Sequence, residues 1–305
     1  MSVLQQANNA DDKDFINFCS RANLIPDIEN EAPYCPRCRH PMKIYYSHSY
    51  TDGARFSCTR CKINRSIRQG AWTKQSQLPL RTLAKILAYW CAGRTLEVAA
   101  EDLNDVSMDT VMSWYHEFSR LAADAYVEDL LANPLGPARI EIDESHFFKA
   151  KYLIGSQLAL PALWVFGAID STTKRVLIEP VPRRDSETLL PLIQRAVAPG
   201  SLIVSDKWGA YNELSRLGYQ HISVNHSENF VDPETGACTN RVEGMWGRIK
   251  SWFRKNSFRS RRTFEDHLRE WGFRENLGRN FQACWDVVTK QIERLHRKSY
   301  GSISD

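Results

Sequence analysis

Three carboxylates in this chain have the types and spacing of a phosphoryl-transfer site. Asp143 closes the strand-like run Ala138-Arg139-Ile140-Glu141-Ile142-Asp143. Asp206 closes a second run, Ser201-Leu202-Ile203-Val204-Ser205-Asp206, just ahead of a helix-like segment. Glu243 opens a long amphipathic helix within Thr239-Asn240-Arg241-Val242-Glu243-Gly244-Met245-Trp246. Two strand-end aspartates and one helical glutamate can converge on a pair of divalent cations. Two such ions about 3.5–4 Å apart activate an attacking oxygen and stabilise the leaving oxygen of a phosphodiester. A ligand set made only of oxygen suits magnesium or manganese. The expectation is therefore two Mg2+ or Mn2+ ions held by Asp143, Asp206 and Glu243.

Each acid also has a plainer reading. A carboxylate at a strand end often just faces water, although period-two alternation puts Asp143 on the face of Glu141, away from Ile140 and Ile142. Glu144 points to the opposite face and reads as a salt-bridge partner. Asp206 has the position of an N-cap for a helix starting at Trp208, a role compatible with metal binding. Asn240 and Glu243 have capping-box spacing. Helix periodicity separates the options for Glu243. Val242, Met245, Trp246, Ile249 and Phe253 form the apolar stripe. At about 100° per residue, Asn240, Glu243, Gly247, Lys250 and Arg254 line one flank beside it. That flank carries an acid near the sheet, a glycine permitting close approach, and two cations further out for DNA phosphates. His226, followed by Ser227-Glu228-Asn229, either orients a scissile phosphate or packs. Arg183-Arg184 reads as a solvated turn.

From Arg248 to Arg262 there are seven Lys or Arg and no acid, interleaved with Trp252, Phe253 and Phe258. A basic block beside a carboxylate site suits a phosphate backbone, with Arg248, Lys250, Arg254 and Lys255 as the contacts. Upstream, Cys35-x-x-Cys38 and Cys58-x-x-Cys61 lie about twenty residues apart, the spacing of a zinc ribbon. Four thiolates suit one tetrahedral, structural zinc and leave His40 and His48 no ligand position. Cys19, Cys91, Cys238 and Cys284 are single. That pattern argues for a reducing compartment rather than a disulfide scaffold.

The elements that must position these residues are legible in outline. Residues 1–32 are polar, with a short helix near Asp14–Ala22. Residues 33–70 hold the ribbon. Residues 71–135 read as three helices: one ending at Gly93, one capped by Thr95, and one capped by Ser107, together resembling a helix-turn-helix module. Asn133-Pro134-Leu135-Gly136-Pro137 marks a boundary. Residues 138–258 then read as α/β: strands Ile140–Phe148, Leu163–Ile169 and Arg175–Val181, a helix capped by Asp185, a strand from Leu202, a helix Trp208–Leu217, a strand His221–Val224, and the helix from Asn240. A meander followed by helix–strand alternation matches an RNase H-like core and differs from pure βαβ alternation. Residues 259–305 read as a helical tail. The N-terminal segment is not a secretory signal. No apolar run approaches the roughly 20 residues of a membrane span, and no membrane role is expected.

The motifs together resemble a known family. These are the two cysteine pairs, Glu141-Ile142-Asp143-Glu144-Ser145, Trp164-Val165-Phe166-Gly167, Ser205-Asp206-Lys207-Trp208-Gly209-Ala210-Tyr211, Val224-Asn225-His226-Ser227-Glu228-Asn229-Phe230-Val231, and Thr239 to Trp246 with Lys250 beyond. Over residues 33–256 the chain resembles a Merlin-type DNA transposase, kin to bacterial zinc-ribbon insertion-sequence transposases. The resemblance implies an RNase H-like fold, cut-and-paste transposition and divalent-metal catalysis, with Asp143, Asp206 and Glu243 as the triad. Some bacterial relatives give the third role to the asparagine of the last motif with a downstream lysine, here Asn240 and Lys250. Cys238 stands where relatives show histidine. The implied partners are transposon terminal inverted repeats and target duplex DNA, bound by a homo-oligomer, in the nucleus of a eukaryote or the cytoplasm of a bacterium. Other classes remain open: a captured transposase that only binds DNA, and a nuclease without strand transfer.

Overall fold

Helical spacing of apolar residues from Leu80 and two-residue alternation from Arg139 sort the chain into a largely helical part and a mixed α/β part. The computed structural model describes residues 3–148, 163–224, 239–256 and 262–301. The elements are α1 (Val3–Asn9), α2 (Asp12–Arg21), β1 (Lys43–Tyr46), β2 (Ala54–Ser57), β3 (Asn64–Ser66), α3 (Leu80–Cys91), α4 (Leu96–Asp102) and α5 (Met108–Ala132). They continue with β4 (Arg139–Phe148), β5 (Leu163–Asp170), β6 (Val176–Val181), α6 (Ser186–Ala196), β7 (Leu202–Asp206), β8 (Gln220–Val224), α7 (Asn240–Lys255), α8 (Phe264–Asn276) and α9 (Phe281–Gly301). The chain divides into two units, one of Met1–Leu121 with Asn280–Asp305 and one of Ala122–Arg279. The helical tail is shared between them. Leu277 to Asn280 separate α8 from α9, with Gly278 and Arg279 at φ +61° and +55°, where a helix cannot continue.

In the first unit, Asp11 caps α2 by accepting from the Asp14 amide at 2.8 Å. Strands β1, β2 and β3 form an antiparallel sheet in that order. The three helices α3 to α5 fall where the sequence pattern puts them, but Thr95, at the N-cap of α4, makes no side-chain cap. Gly93 at φ +65° follows the first, and the Ser107 hydroxyl caps the third through the Thr110 amide at 3.2 Å. Trp72, Trp90, Trp114 and Phe118 pack ring on ring in the core of this unit. α9 lies against α3, and Trp285 stacks between Phe18 and Phe281.

The second unit is built on a five-stranded sheet of order β6-β5-β4-β7-β8. The first three strands form the antiparallel meander, and β7 and β8 run parallel to β4. Ile140, Ile142, Val165, Phe166, Ala168, Ile178 and Ile203 are fully buried in it. Asp185 caps α6 through the Thr188 amide at 2.9 Å. The segment expected as one helix over Trp208–Leu217 is instead two 3-10 turns, Gly209–Tyr211 and Leu214–Leu217, closed by Gly218 at φ +88°. Its two fully buried side chains, Tyr211 and Leu214, stand three apart. Helix α8 packs on β6. Among the described residues no helix is long and apolar enough to cross a membrane.

Candidate active site

Asp143 is the fifth residue of a ten-residue strand, not a strand end. Strand β4 stays paired with β5 as far as Phe148, while its pairing with β7 stops at Glu141↔Val204. Carried on two residues, the parallel register sets Asp143 across from Asp206, the last residue of β7. Both then share the sheet face of Glu141. Helix α7 covers that face with Val242, Met245, Trp246, Ile249 and Phe253 buried.

The docking depends on one glycine. The register partner of Asp143 on β5 is Gly167. A Cβ at Gly167 would lie 2.5 Å from Cη2 and Cζ2 of Trp246 and 2.6 Å from Cε of Met245. With hydrogen there instead, the indole reaches the strand and Trp246 Nε1 donates to Asp143 Oδ2 at 2.9 Å. The expected close approach at Gly247 is not found, because a Cβ there would meet nothing within 4 Å. Asp206 Oδ1 accepts from the Trp208 amide at 3.1 Å, so its turn-capping role is present. Glu243 is exposed on the first turn of α7, and its Oε1 accepts from the Thr239 hydroxyl at 3.2 Å.

Asp143 has its carboxyl held above the usual range. Burial is the largest cause, with the Asp206 and Glu243 charges adding to it. The Trp246 and Glu144 N–H donors work in the opposite direction. Asp206 and Glu243 therefore both lie within electrostatic reach of Asp143. The three acids are more open than the cysteine cluster, the one group among the described residues whose ligand atoms all lie within 4.8 Å.

The capping box that the Asn240–Glu243 spacing allowed is not formed. Asn240 is the first helical residue and Thr239, the N-cap, makes no side-chain cap. Glu141 does the work from the sheet. Its Oε2 accepts from the amides of Arg241 at 2.8 Å and Val242 at 3.4 Å, and its Oε1 from the Arg241 guanidinium at 2.6 Å. A fully buried carboxylate at a helix N-terminus satisfies amides that would otherwise be orphaned. The alternation that put Glu141 beside Asp143 was the available signal.

On the opposite face, Glu144 is buried and pairs with Arg184 at 2.8 Å. Burial outweighs that ion pair and pushes Glu144 up to about 7. Arg184 is no solvated turn residue. Its guanidinium lies 4.5 Å from the Trp164 ring and 4.6 Å from the Trp208 ring. Arg183 does remain outside, paired with Asp185 at 2.9 Å.

On the basic flank, Arg248 pairs with Glu275 at 3.3 Å, and the Lys250 ammonium lies 5.5 Å from the Phe147 ring centre. Arg254 and Lys255 are exposed in the last turn of α7. His226 and Cys238 lie outside the described residues, as do residues 257–261 of the basic block.

In the first unit the two cysteine pairs are built alike. Cys35 donates its amide to His40 O and accepts from the Arg39 amide, while Cys58 donates to Ile63 O and accepts from the Lys62 amide, each at 2.9 Å. Arg39 and Lys62, just after each pair, both take positive φ, +55° and +59°. These two knuckles bring the sulfurs of Cys35, Cys38, Cys58 and Cys61 within 4.8 Å of one another. Burial pushes the Cys35 thiol up, but the N–H donors of Cys38 and Arg37 and the neighbouring thiols outweigh it and bring it down to about 7. The same cluster pushes Cys61 up to about 12, chiefly through its hydrogen bond with Cys38; four sulfurs this close fit tetrahedral zinc. His48 instead pairs with Asp12 at 2.8 Å.

Comparison with known proteins gives the following likenesses. Residues 149–276 match the model of the ISXO2-like transposase domain. An uncharacterized transposase-like protein of Haemophilus influenzae is 31% identical over 96 residues, covering 32% of this chain and 76% of that protein. The matches specify an insertion-sequence domain without singling out the Merlin type. Among solved structures, the Mos1 strand transfer complex aligns with 14% identity over 73% of this chain and 78% of that one, with a TM-score of 0.31. A Mos1 mariner paired end complex with Mn aligns with 14% identity over 65% and 75%, with a TM-score of 0.24.

Proposed function

Because the chain belongs to the insertion-sequence transposases that share the ISXO2-like domain, we propose that it cuts and joins DNA at the carboxylate site under α7. The observation that carries this is the register of β4 and β7, which aligns Asp143 with Asp206 on the face that Glu243 overhangs. The sheet order, an antiparallel meander followed by two parallel strands, supports an RNase H-like core. The donor set fits divalent metal: three carboxylates, all oxygen, whose mutual repulsion a cation relieves. When bound there, Mg2+ or Mn2+ activates the attacking oxygen and stabilises the leaving oxygen.

The chain's own residues supply the rest. Asp143, fixed by Trp246, would hold the divalent metal together with Asp206 and Glu243. The flank of Lys250, Arg254 and Lys255 would hold the phosphate backbone in line for hydrolysis at a transposon end. The freed 3′-hydroxyl would then attack target DNA at the same site. The ribbon adds a second basic surface: residues 33–70 hold eight Lys or Arg against one acid, Asp52. Arg37, Arg39, Lys43, Arg60, Lys62 and Arg65 are exposed. With the helix-turn-helix-like α3 to α5, this head would grip terminal repeats, more than one copy assembling on the DNA.

Glu243→Gln, Asp143→Asn and Asp206→Asn test the reading. Each should abolish magnesium- or manganese-dependent end cleavage and joining, leave DNA binding intact, and keep or raise the melting temperature as like charges are removed. Wild-type cleavage by Glu243→Gln would move the third role to Asn240 with Lys250. Cleavage without joining by the wild type would make the protein a nuclease, and binding without either would make it a DNA-binding regulator.

A further inference from the structure

Trp208 is 42% exposed, yet its indole is fixed from several directions. Its backbone amide donates to Asp206 at 3.1 Å, and its Nε1 donates to the Arg184 carbonyl at 2.8 Å. One ring face lies on the Arg184 guanidinium, 4.6 Å away. That guanidinium is itself anchored by the buried Glu144 at 2.8 Å, and it also lies 4.5 Å from the Trp164 ring centre. Trp164 in turn packs on His146 with ring centres 4.9 Å apart. The result is a contiguous cluster of His146, Trp164, Arg184 and Trp208, whose most exposed member is a large aromatic left substantially in water.

Folding gives little reason for this arrangement. An indole exposed to this degree forgoes part of its burial energy, and an unanchored surface tryptophan would need no ion pair behind it. A rigid, pre-oriented aromatic ring loses little entropy when a flat ligand stacks on it. The Glu144–Arg184 pair behind Trp208 lies on the sheet face opposite Asp143, and Trp208 reaches the proposed DNA site through its backbone amide, which bonds Asp206 at the end of β7. The π-bearing group next to a phosphodiester held there is a nucleobase. A base inside a paired duplex has both faces covered by its neighbours, so only an unpaired base offers one.

We infer that Trp208 is a stacking platform for an unpaired nucleobase beside the cleaved phosphodiester, held in place by the Glu144–Arg184 pair. The inference rests on the reading of the carboxylate site as a DNA site. Trp208 is a positioning residue, touching the substrate's base and not the reacting atoms.

The test uses the full chain with zinc, calcium in place of magnesium, and two oligonucleotide probes, a blunt duplex and a forked duplex with 2-aminopurine at the first unpaired position. Trp208→Ala should weaken forked-end binding about 5- to 150-fold, the range for one base–aromatic stack, and leave blunt-duplex binding unchanged. Trp208→Tyr should stay within about threefold of wild type. Quenching of 2-aminopurine should persist in Trp208→Tyr and vanish in Trp208→Ala. An abasic site at the unpaired position should weaken wild type as much as Trp208→Ala does and add nothing to that variant, since the two changes remove one contact.

Equal forked-end affinity of wild type and Trp208→Ala, quenching that survives in the variant, or additive losses would each overturn the inference. Should Trp208→Ala fail to fold, the abasic probe on wild type decides, and an undiminished affinity there overturns it. If wild type cleaves DNA but prefers neither probe, the stacking site falls alone. If wild type binds neither, the DNA reading of the carboxylate site falls with it.

Discussion

At the scale of single residues, the carboxylate site turns on Gly167. Its missing Cβ admits the Trp246 ring against β5, and that ring fixes one oxygen of Asp143. Gly167→Ala should therefore cost roughly 1–3 kcal/mol by overpacking, read as a lower denaturant midpoint at unchanged slope. Trp246→Phe shortens the ring, so in the double variant the losses should be clearly less than additive. Strict additivity would mean that the clash is relieved elsewhere and that Gly167 is not what seats the indole.

Helix α7 shows how an element can be capped from outside itself. Glu141→Ala removes a fully buried carboxylate that serves two amides and one guanidinium. The expected cost is about 1–3 kcal/mol, the range for leaving buried donors unsatisfied, since the Arg241 guanidinium is itself partly in water. Asn240→Ala, in the exposed first position of the same helix, should stay within about 0.5 kcal/mol. Urea melts of the two variants check the contrast, and the reverse ranking would restore the local capping box.

Helix α9 carries a different liability. His296 is buried, its Nε2 has no partner, and burial lowers it to about 4 from the ordinary 6.5. The folded state keeps this imidazole neutral while the unfolded chain protonates below about pH 6.5. The unfolded state then binds more protons, so stability falls as pH drops from about 6.5 to 4 and is flat outside that window. His296→Phe should remove this contribution, which melting temperatures of the two proteins across pH 4–7 would reveal. Parallel curves would show that the side chain does not titrate in that range.

For the whole molecule, the cysteine cluster sets the condition for a folded head. Residues 33–70 have only three short strands, too little for a core of their own. Structural zinc contributes roughly 10–16 kcal/mol to such modules. Purified protein should hold one zinc per chain by elemental analysis. Chelation should open residues 33–70 to proteolysis and abolish DNA binding that depends on the head. A zinc-free protein with Cys35 to Cys61 in disulfides would contradict this.

What the sequence determined by itself was local and periodic. Paired cysteines at ribbon spacing, the alternation of Arg139–Phe148, the apolar stripe of α7 and the caps at Asp185 and Ser107 are all set by neighbours within a few residues. So was the placing of Asp143 on the face of Glu141. What only the tertiary structure decided involves partners far apart in the chain. Glu141 caps an amide one hundred positions away, Trp246 reaches Asp143 across a gap opened by Gly167, and Arg184 is drawn from a polar turn into contact with two tryptophan rings. The tail, uniform in pattern, is divided between two units. The physical reason is common to all of them. Periodicity fixes which face a side chain takes, but strand register and the depth at which a helix docks are properties of the packed sheet, and no local run of residues encodes them.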